Sequence, residues 1–166
     1  MHDEIFADLA GLDLGEAVAE IGAGHGTTTH WLLARGHRVC AVDIDPSAVS
    51  YLKSAFRHFT AVGLLRVIHA PAEALPLGDG ECDSAVSVAA IHHIRHVEQA
   101  LREMERVARR LVAIYDWTPE SAGYTNPHSP QELEEKMQTA LAIAQRLGYQ
   151  AVRQRLWYRF LKKKRQ

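Results

Sequence analysis

The chain has 166 residues, of which 47% are apolar and 23% charged, and its formal net charge at pH 7 is −1. No apolar run reaches the about 18 residues of a membrane-spanning helix. The acidic start, Met1-His2-Asp3-Glu4, does not resemble a signal peptide. The two cysteines, Cys40 and Cys82, give no disulfide framework. We therefore expect one reduced, cytoplasmic domain over residues 1–166, long enough to bury about 70% of its unfolded surface.

Apolar, strand-like runs alternate with helical patterns along most of the chain. Such alternation indicates parallel strands joined by crossover helices. The pattern predicts an α/β fold, a doubly wound and mostly parallel sheet with helices on both faces. The predicted strands are Ala17–Ile21, Arg38–Val42, Leu65–His69, Ser84–Ala89 and Leu111–Tyr115.

Two of the predicted helices begin at clear caps. Asp45-Pro46 supplies an N-cap followed by a first-turn proline, and Ser129-Pro130-Gln131-Glu132 is a capping box with proline at its first helical position. The helix Val97–Arg109 is predicted from apolar residues at helical spacing. The helix Thr28–Arg35 is predicted to end there because Gly36 follows it. The four helices are Thr28–Arg35, Pro46 to about Phe56, Val97–Arg109 and Pro130–Leu147.

Ala151–Leu156 and Trp157–Leu161 are predicted to close the sheet as one or two strands. No Asn-Gly or Gly-Gly pair separates them, so the sequence does not indicate a tight hairpin. One long strand, or a strand exchanged with a second chain, remains an alternative, and with it a homodimer.

Residues 152–166 form a basic closing strand and tail. From Arg153 onward there are seven basic residues and no acidic one. Such a segment could contact RNA, an anionic substrate or a neighbouring subunit. We favour a solvated strand edge with a frayed end, where lysines discourage edge-to-edge pairing. Nucleic acid is not expected as a partner.

The segment Ala19–Thr27 reads as the end of an apolar strand, a turn with three glycines and the start of a helix. Gly22, Gly24 and Gly26 let the backbone adopt positive φ and let a ligand approach it closely. Free N–H groups at the helix start favour an anion. Asp43, about 20 residues further on, is placed to bind ribose hydroxyls. These features indicate an adenosine-type cofactor; the alternative is a turn that merely connects strand and helix.

Glu20, two residues before the first glycine, distinguishes between cofactors. Dinucleotide-binding turns have the spacing G-x-G-x-x-G, whereas here Thr27 occupies the third glycine's place. A carboxylate would repel a pyrophosphate but attract an ammonium group. S-adenosylmethionine has that amino group, a carboxylate for the helix start and a ribose for Asp43. An NAD(P)-dependent oxidoreductase agrees less well with these residues.

The turn resembles the first motif of the class I S-adenosylmethionine-dependent methyltransferases, acid-x-G-x-G-x-G. Ala72–Leu77 and Ala90–Ile94 are similar to the ubiquinone/menaquinone-type branch of that family. With Glu81–Val86 and Asp116–Leu133, the resemblance covers residues 16 to about 147. It implies a Rossmann-like fold with a C-terminal antiparallel strand or strands. It also implies methyl transfer to an acceptor, expected to be a small molecule, with S-adenosylhomocysteine as product.

The resemblance also assigns cofactor contacts. Pro71 stands where the family usually has an aspartate for the adenine amino group, so adenine recognition must rely on Ala72, Glu73 or nearby backbone. Ala108-Arg109-Arg110 replaces the usual Pro-Gly turn, which affects only the connection. The implied cofactor-binding residues are Glu20, Gly22, Gly24, Gly26, Asp43, Ile44, Ala72, Glu73 and Ala89.

His92 and His93 are the leading candidates for a general base, since an unperturbed imidazole has a pKa of about 6.5. The alternative is that they only shape the pocket or cap the next helix. His96 lies nearby, but no cysteine or carboxylate cluster with ligand spacing accompanies the three, so no metal is expected. Trp117 and Tyr124 either approach the sulfonium or pack against a neighbouring helix.

About 16 residues precede the first strand, where relatives often carry a helical lid. Either the site is open to a large acceptor, or a second subunit covers it. The chain reads Ala89-Ala90-Ile91-His92 where methyltransferases of nucleobase or glutamine amines have an Asn/Asp-Pro-Pro-Tyr/Phe motif, which disfavours such acceptors. A non-catalytic domain that binds S-adenosylmethionine and acts as a regulatory or partner subunit is the second hypothesis.

Overall fold

The computed structural model describes residues 2–165, which form a seven-stranded sheet with helices on both faces. The strands are β1 (Ala17–Ile21), β2 (Arg38–Asp43), β3 (Leu65–His69), β4 (Cys82–Val88), β5 (Ala108–Trp117), β6 (Gln150–Arg153) and β7 (Trp157–Lys163). Their order across the sheet is β3-β2-β1-β4-β5-β7-β6. The first five are parallel, whereas β7 runs antiparallel to both β5 and β6. The predicted doubly wound, Rossmann-like fold is confirmed.

Within the described residues, six α-helices cover the sheet: α1 (His2–Ala10), α2 (Thr27–Ala34), α3 (Pro46–Ala55), α4 (Arg57–Ala61), α5 (Val97–Val107) and α6 (Pro130–Arg146), with short 3₁₀ turns at Ile91–His93 and Pro119–Ser121. On one face, α1, α2 and α3 pack through Ile5, Leu32 and Leu52. On the other, α5 and α6 pack through Leu101 and Met137. Among residues 2–165, no helix is both long and apolar enough to cross a membrane.

Both predicted helix caps are present. The Asp45 side chain accepts a hydrogen bond from the backbone N–H of Ser47 at 2.9 Å, directly before α3. The Ser129 hydroxyl accepts one from the N–H of Glu132 at 3.1 Å, at the start of α6. Each bond satisfies an N–H that has no partner within its helix, so the two helices start where the sequence indicates.

Helix α5 runs directly into β5. The helix ends at Val107, and Ala108 already pairs with Cys82 of β4, so the predicted helix end at Arg109 is wrong. The side chain of Arg109 bonds Asp83, whose other carboxylate oxygen accepts the N–H groups of residues 16 and 17. These contacts draw the arginine segment into the sheet and lengthen β5 at the expense of the helix.

Strands β6 and β7 form an antiparallel hairpin within one chain, as the resemblance implies. Residues 154–156 connect them, and the N–H of Gln154 donates to the carbonyl of Trp157 at 2.8 Å. The hairpin forms without the usual turn dipeptides, since β7 is held by pairing with both β5 and β6. β7 pairs with β5 continuously from Trp157 to Lys163.

Most of the basic segment lies in or after β7, and only its first two residues belong to the edge strand β6. Strand β7 lies between β5 and β6, so β6 is the edge strand. Arg153 pairs with Glu120, Arg159 with Asp8 and Lys162 with Glu105. The Lys164 ammonium donates to the carbonyls of residues 105 and 108. The expectation of a solvated edge is met at Arg153, which is exposed on β6, whereas Arg159 and Lys162 are partly buried and paired within the domain.

Candidate functional site

A cleft of about 510 Å³ opens at the carboxyl ends of β1, β2 and β4. Strands β1 and β4 are neighbours, although the chain runs from β1 through β2 and β3 before it returns to β4. Open α/β sheets bind ligands at such a reversal of strand order, because the connections diverge there and leave a crevice. The cleft walls come from the turn after β1, the ends of β2 and β4, residues 70, 72 and 73, and residues 93–95.

The three glycines of the turn all adopt positive φ but have different environments. A Cβ on Gly22 would lie 2.3 Å from the Cβ of Ala90, and one on Gly26 would lie 2.5 Å from the ring of Phe56. A Cβ on Gly24 would meet no atom within 4 Å. Gly22 and Gly24 line the cleft, whereas Gly26 allows close packing of the helix start.

Asp43, at the end of β2, is fixed by two backbone groups. Its Oδ2 atom accepts the N–H of Gly24 at 2.8 Å, and its Oδ1 atom accepts the N–H of Asp45 at 2.9 Å. A carboxylate oxygen has a second lone-pair site, so each oxygen can still accept a hydroxyl. The side chain lines the cleft. This arrangement suits a vicinal diol such as that of ribose.

Glu20 lies beneath the turn rather than on the cleft wall. It is 2% exposed, and the hydroxyl of Thr29 in α2 donates to its Oε1 atom at 2.6 Å. Burial raises the pKa of the carboxyl group to about 8, because the charged form loses its hydration. Glu20 therefore links β1 to α2, and in the free protein at neutral pH it is largely protonated.

Residues after β2 and β3 form an apolar end of the cleft. Ile44 is 65% exposed there, and Ala72 and Glu73 lie on the same wall. The Glu73 carbonyl accepts from the side chain of Gln99 at 3.1 Å, which ties this loop to α5. Exposed apolar surface beside backbone groups suits a flat, heteroaromatic ligand, even though Pro71 offers no side-chain acceptor.

Ala89 follows β4 in a strained conformation. Its φ is 59°, which an L-residue other than glycine rarely adopts, and its N–H donates to the carbonyl of Tyr115 at 2.8 Å. Ala89 and Ala90 both line the cleft next to Gly22. Strain of this kind persists where surrounding structure enforces it, and it often accompanies ligand sites.

Asp116 holds His92 in one orientation. Asp116 is fully buried at the end of β5, and its Oδ1 and Oδ2 atoms lie 2.8 and 2.9 Å from Nδ1 of His92. The Oδ2 atom also accepts the backbone N–H of His92 at 2.8 Å. A carboxylate next to Nδ1 places the proton on that nitrogen, so Nε2 of His92 is free to accept.

His93 lines the cleft, and the ring of His128 lies next to those of His92 and His93. The ring centroids of His92 and His93 lie 3.9 Å apart, and that of His128 lies 4.9 Å from the first and 5.5 Å from the second. Partial burial and the neighbouring imidazoles lower the pKa of His93. His93 is therefore neutral near pH 7 and can accept a proton.

The structure does not bring every sequence candidate to the cleft. Trp117 is 4% exposed and packs edge-on against His2, and Tyr124 is 67% exposed on the loop before α6. The backbone N–H of His96 faces Glu73, and its ring is not part of the histidine cluster. Sequence reasoning missed His128. Its position directly before the α6 capping box was the one available indication, because that helix starts near the cleft edge.

These residues fit the adenosyl and methionyl parts of S-adenosylmethionine. Gly24 leaves its backbone open, whereas a Cβ at Gly22 would collide with Ala90. Asp43 offers a preformed acceptor pair for the ribose, and Ile44 offers an apolar surface for the base. The cleft, at about 510 Å³, has the size of a cofactor site.

Comparisons with known proteins agree with this geometry. Residues 19–114 match the methyltransferase domain family. The chain is 27% identical over 149 residues to a probable S-adenosylmethionine-dependent methyltransferase of Mycobacterium tuberculosis, covering 86% of this chain and 52% of that protein. It is 30% identical over 105 residues to the ubiquinone/menaquinone biosynthesis C-methyltransferase UbiE of Klebsiella pneumoniae, covering 61% and 42%.

A solved structure of an S-adenosylmethionine-dependent methyltransferase from Aquifex aeolicus has the same fold. Its TM-score is 0.73 at 22% identity, and the alignment covers 96% of this chain and 88% of that one. The chain spans about half the length of the curated relatives it matches. Because the family match extends over more than half of this chain, the chain belongs to the class I S-adenosylmethionine-dependent methyltransferases, whose cofactor is S-adenosyl-L-methionine.

Proposed function

We propose that this chain transfers the methyl group of S-adenosylmethionine to a small-molecule acceptor bound beside His93. The observation that carries this proposal is the buried Asp116–His92 pair directly behind His93 at the cleft. A carboxylate that fixes one imidazole, next to a second imidazole with a lowered pKa, is an arrangement suited to handling a proton.

The cofactor contacts follow from the cleft walls. Asp43 would accept the ribose hydroxyls, and Ile44, Ala72 and Glu73 would surround the adenine. Gly22 and Gly24 would face the methionyl part, and Ala89 would lie between it and the acceptor. Three further residues support this site from behind or from within the turn: Glu20, Gly26 and Thr29.

Glu20 contributes through charge rather than contact in this proposal. Its carboxyl group is buried behind the turn and has a pKa of about 8 in the free protein. An ammonium group bound above the turn would favour the ionised form. Binding of the cofactor is then coupled to loss of a proton from Glu20.

The bound cofactor supplies an activated methyl group on a sulfonium, so the protein mainly has to position the acceptor. Orientation of two reactants can lower a barrier by about 7–11 kcal/mol. For a hydroxyl acceptor, His93 would take the proton that the oxygen gives up when it is methylated. Asp116 and His92 hold the neighbouring ring in place during that transfer.

The exposure of the cleft wall bears on the size of the acceptor. The wall formed by His93 and Arg95 is exposed, so the site accepts a ligand that extends beyond the cofactor. The relative from Klebsiella is named for ubiquinone and menaquinone biosynthesis. Hydroquinones and phenols are therefore the first acceptors to test.

Two measurements test the proposal. Calorimetry with S-adenosylmethionine, S-adenosylhomocysteine and NAD should show binding of the first two and none of the third. Labelled-methyl transfer to a panel of hydroquinones, phenols and thiols should then identify an acceptor. His93→Gln should keep cofactor binding and lose most turnover, with the exposed His58→Gln as matched control. Binding without transfer to any acceptor class would favour the non-catalytic hypothesis instead.

A further inference from the structure

His92, His93 and His128 form a cluster of three imidazoles at the acceptor end of the cleft. One ring nitrogen from each lies within 4.8 Å of the corresponding nitrogens of the other two. We propose that this histidine cluster binds a divalent transition-metal ion of the zinc type, one per chain. Three imidazoles are a ligand set that zinc uses when it keeps one coordination position open.

Carboxylates hold two of the three rings in the orientation that a metal site needs. Asp116 bonds Nδ1 of His92 at 2.8 Å, and Glu132 lies 3.3 Å from Nδ1 of His128. Both contacts leave Nε2 as the free nitrogen. Metal-binding histidines usually donate their other N–H to a carboxylate or carbonyl, which fixes the ring and makes it a stronger ligand.

Burial and charge at the cluster also favour a cation. The side chains of His92 and Asp116 are 6% and 0% exposed, and that of His128 is 25% exposed. The carboxylates of Asp116 and Glu132 offset the charge of a bound ion, while the positive charge of Lys136 acts against it. A central ion would be bound by one ring nitrogen from each of the three histidines.

Small ring movements complete the coordination geometry. A tetrahedral ion with bonds of about 2.0–2.1 Å brings its ligand nitrogens to about 3.4 Å from one another, closer than the present spacing. His93 lies at the end of a three-residue 3₁₀ turn, and His128 lies in the loop before α6. Both can turn inward, whereas His92 stays fixed by Asp116.

The open coordination position would face the cleft because His93 is the ligand on the cleft wall. This step rests on the proposed function. A hydroxyl or thiol acceptor bound at that position would lose its proton to solvent water more readily, since a divalent ion stabilises the anion. The acceptor class is then a small molecule with a metal-binding hydroxyl or thiol. With the ion bound, His93 is a ligand and the acceptor's proton passes to solvent at the exposed cleft wall, so the role of His93 as a base applies only to the metal-free chain.

Metal binding can be measured without any methyl acceptor. The full chain is stripped with a chelator, dialysed and titrated with Co²⁺, whose visible absorption reports tetrahedral nitrogen ligands. Zn²⁺ is then added in competition. We expect one ion per chain with micromolar or tighter affinity. His128→Gln should weaken binding at least tenfold, and Asp116→Asn by about 10–100-fold. His128 is only partly buried, so the first variant keeps its fold.

His96→Gln and His58→Gln are the matched controls, since both rings lie outside the cluster. They should bind Co²⁺ as the unmodified chain does. Absence of binding, or equal binding by His128→Gln, would overturn the metal site.

Failure of the proposed function has a different signature. Metal binding in a chain that transfers no methyl group keeps the site and rejects the proposed function. Methyl transfer that is unchanged by chelation and by His128→Gln keeps the function and rejects the role of the metal.

Discussion

Gly24 donates its backbone N–H to the Oδ2 atom of Asp43 at 2.8 Å, which joins the glycine turn to the end of the second strand. The other oxygen of Asp43 is held by the N–H of Asp45. The carboxylate assigned to the ribose is therefore in place before a ligand arrives. Binding needs no rearrangement of this side chain, and pre-organisation of this kind reduces the cost of association.

Asp43→Ala should weaken binding of S-adenosylhomocysteine at least tenfold. Hydrogen bonds to a charged group contribute about 1.5–3 kcal/mol each, and the substitution removes both acceptors for the ribose. Isothermal calorimetry measures the change. Asp13→Ala is the control, because Asp13 is exposed and bonds only Arg110 among the side chains described. Equal affinities for the two variants would refute the ribose assignment.

Gly22→Ala should destabilise the fold and block the cleft. Its new Cβ would lie 2.3 Å from that of Ala90, whereas Gly36→Ala, at a similar positive φ, would place its Cβ in open space. Both variants bear the cost of a left-handed alanine, about 1–2 kcal/mol. The collision should add about 1–3 kcal/mol for Gly22→Ala alone. Urea denaturation compares the two, and equal stabilities would contradict the close contact.

Because of Glu20, the free energy of unfolding of the ligand-free protein should fall as pH rises. The native pKa is about 8, above the value of 4.5 for an unperturbed glutamate. Between these values the native state keeps a proton that the unfolded state has lost, so the free energy of unfolding falls by up to about 1.4 kcal/mol per pH unit. Glu20→Gln should remove this contribution and raise the melting temperature more at pH 8 than at pH 5. Glu16→Gln, on the surface, should show no such difference.

Asp116→Asn should lower turnover about 10–100-fold while cofactor affinity stays within a factor of two to three. An amide in place of the carboxylate no longer fixes the proton on Nδ1 of His92. Steady-state kinetics and calorimetry separate the two effects, and the exposed Asp79→Asn serves as control. A parallel loss of affinity and turnover would mean that Asp116 supports the fold rather than the reaction.

Asp8→Ala should lower the free energy of unfolding by about 2 kcal/mol. Asp8 accepts the hydroxyl of Tyr115 at 2.5 Å and two contacts from Arg159 at 2.9 and 3.1 Å, all partly buried. Its loss leaves both donors without their acceptor. Chemical denaturation checks the value, with the exposed Asp3→Ala expected to be nearly neutral. An equally small effect at Asp8 would show that the contacts to Arg159 and Tyr115 contribute little.

The strands and glycine turn could be predicted because their information is local. Ala17–Ile21 and Leu65–His69 are mostly apolar runs with a glycine or proline within two residues of each end, and both are strands with the predicted ends. The caps at Asp45 and Ser129 also depend on residues within one turn. The end of α5 could not be predicted, because it depends on the contact between Arg109 and the distant Asp83.

The candidate site was predicted only in part for the same reason. Gly22, Gly24 and Asp43 line the cleft, as their motif indicates. Glu20 points from β1 towards Thr29 of α2, whereas the next residue, Ile21, lines the cleft, since strand residues alternate between faces. The approach of His128 to His92 depends on how the loop before α6 crosses the sheet edge, and no local pattern encodes that path.

His2 and Lys163 lie at opposite ends of strand β5. His2 packs on Trp117, at the carboxyl end of β5, on the same edge as the cleft. Lys163 pairs with Leu111 near the start of β5, about 20 Å away along the strand. A fluorophore attached at residue 163 is therefore about 20 Å further from the cleft edge along the strand than one attached at residue 2. The label at residue 2 is the one whose emission should report occupancy of the cleft.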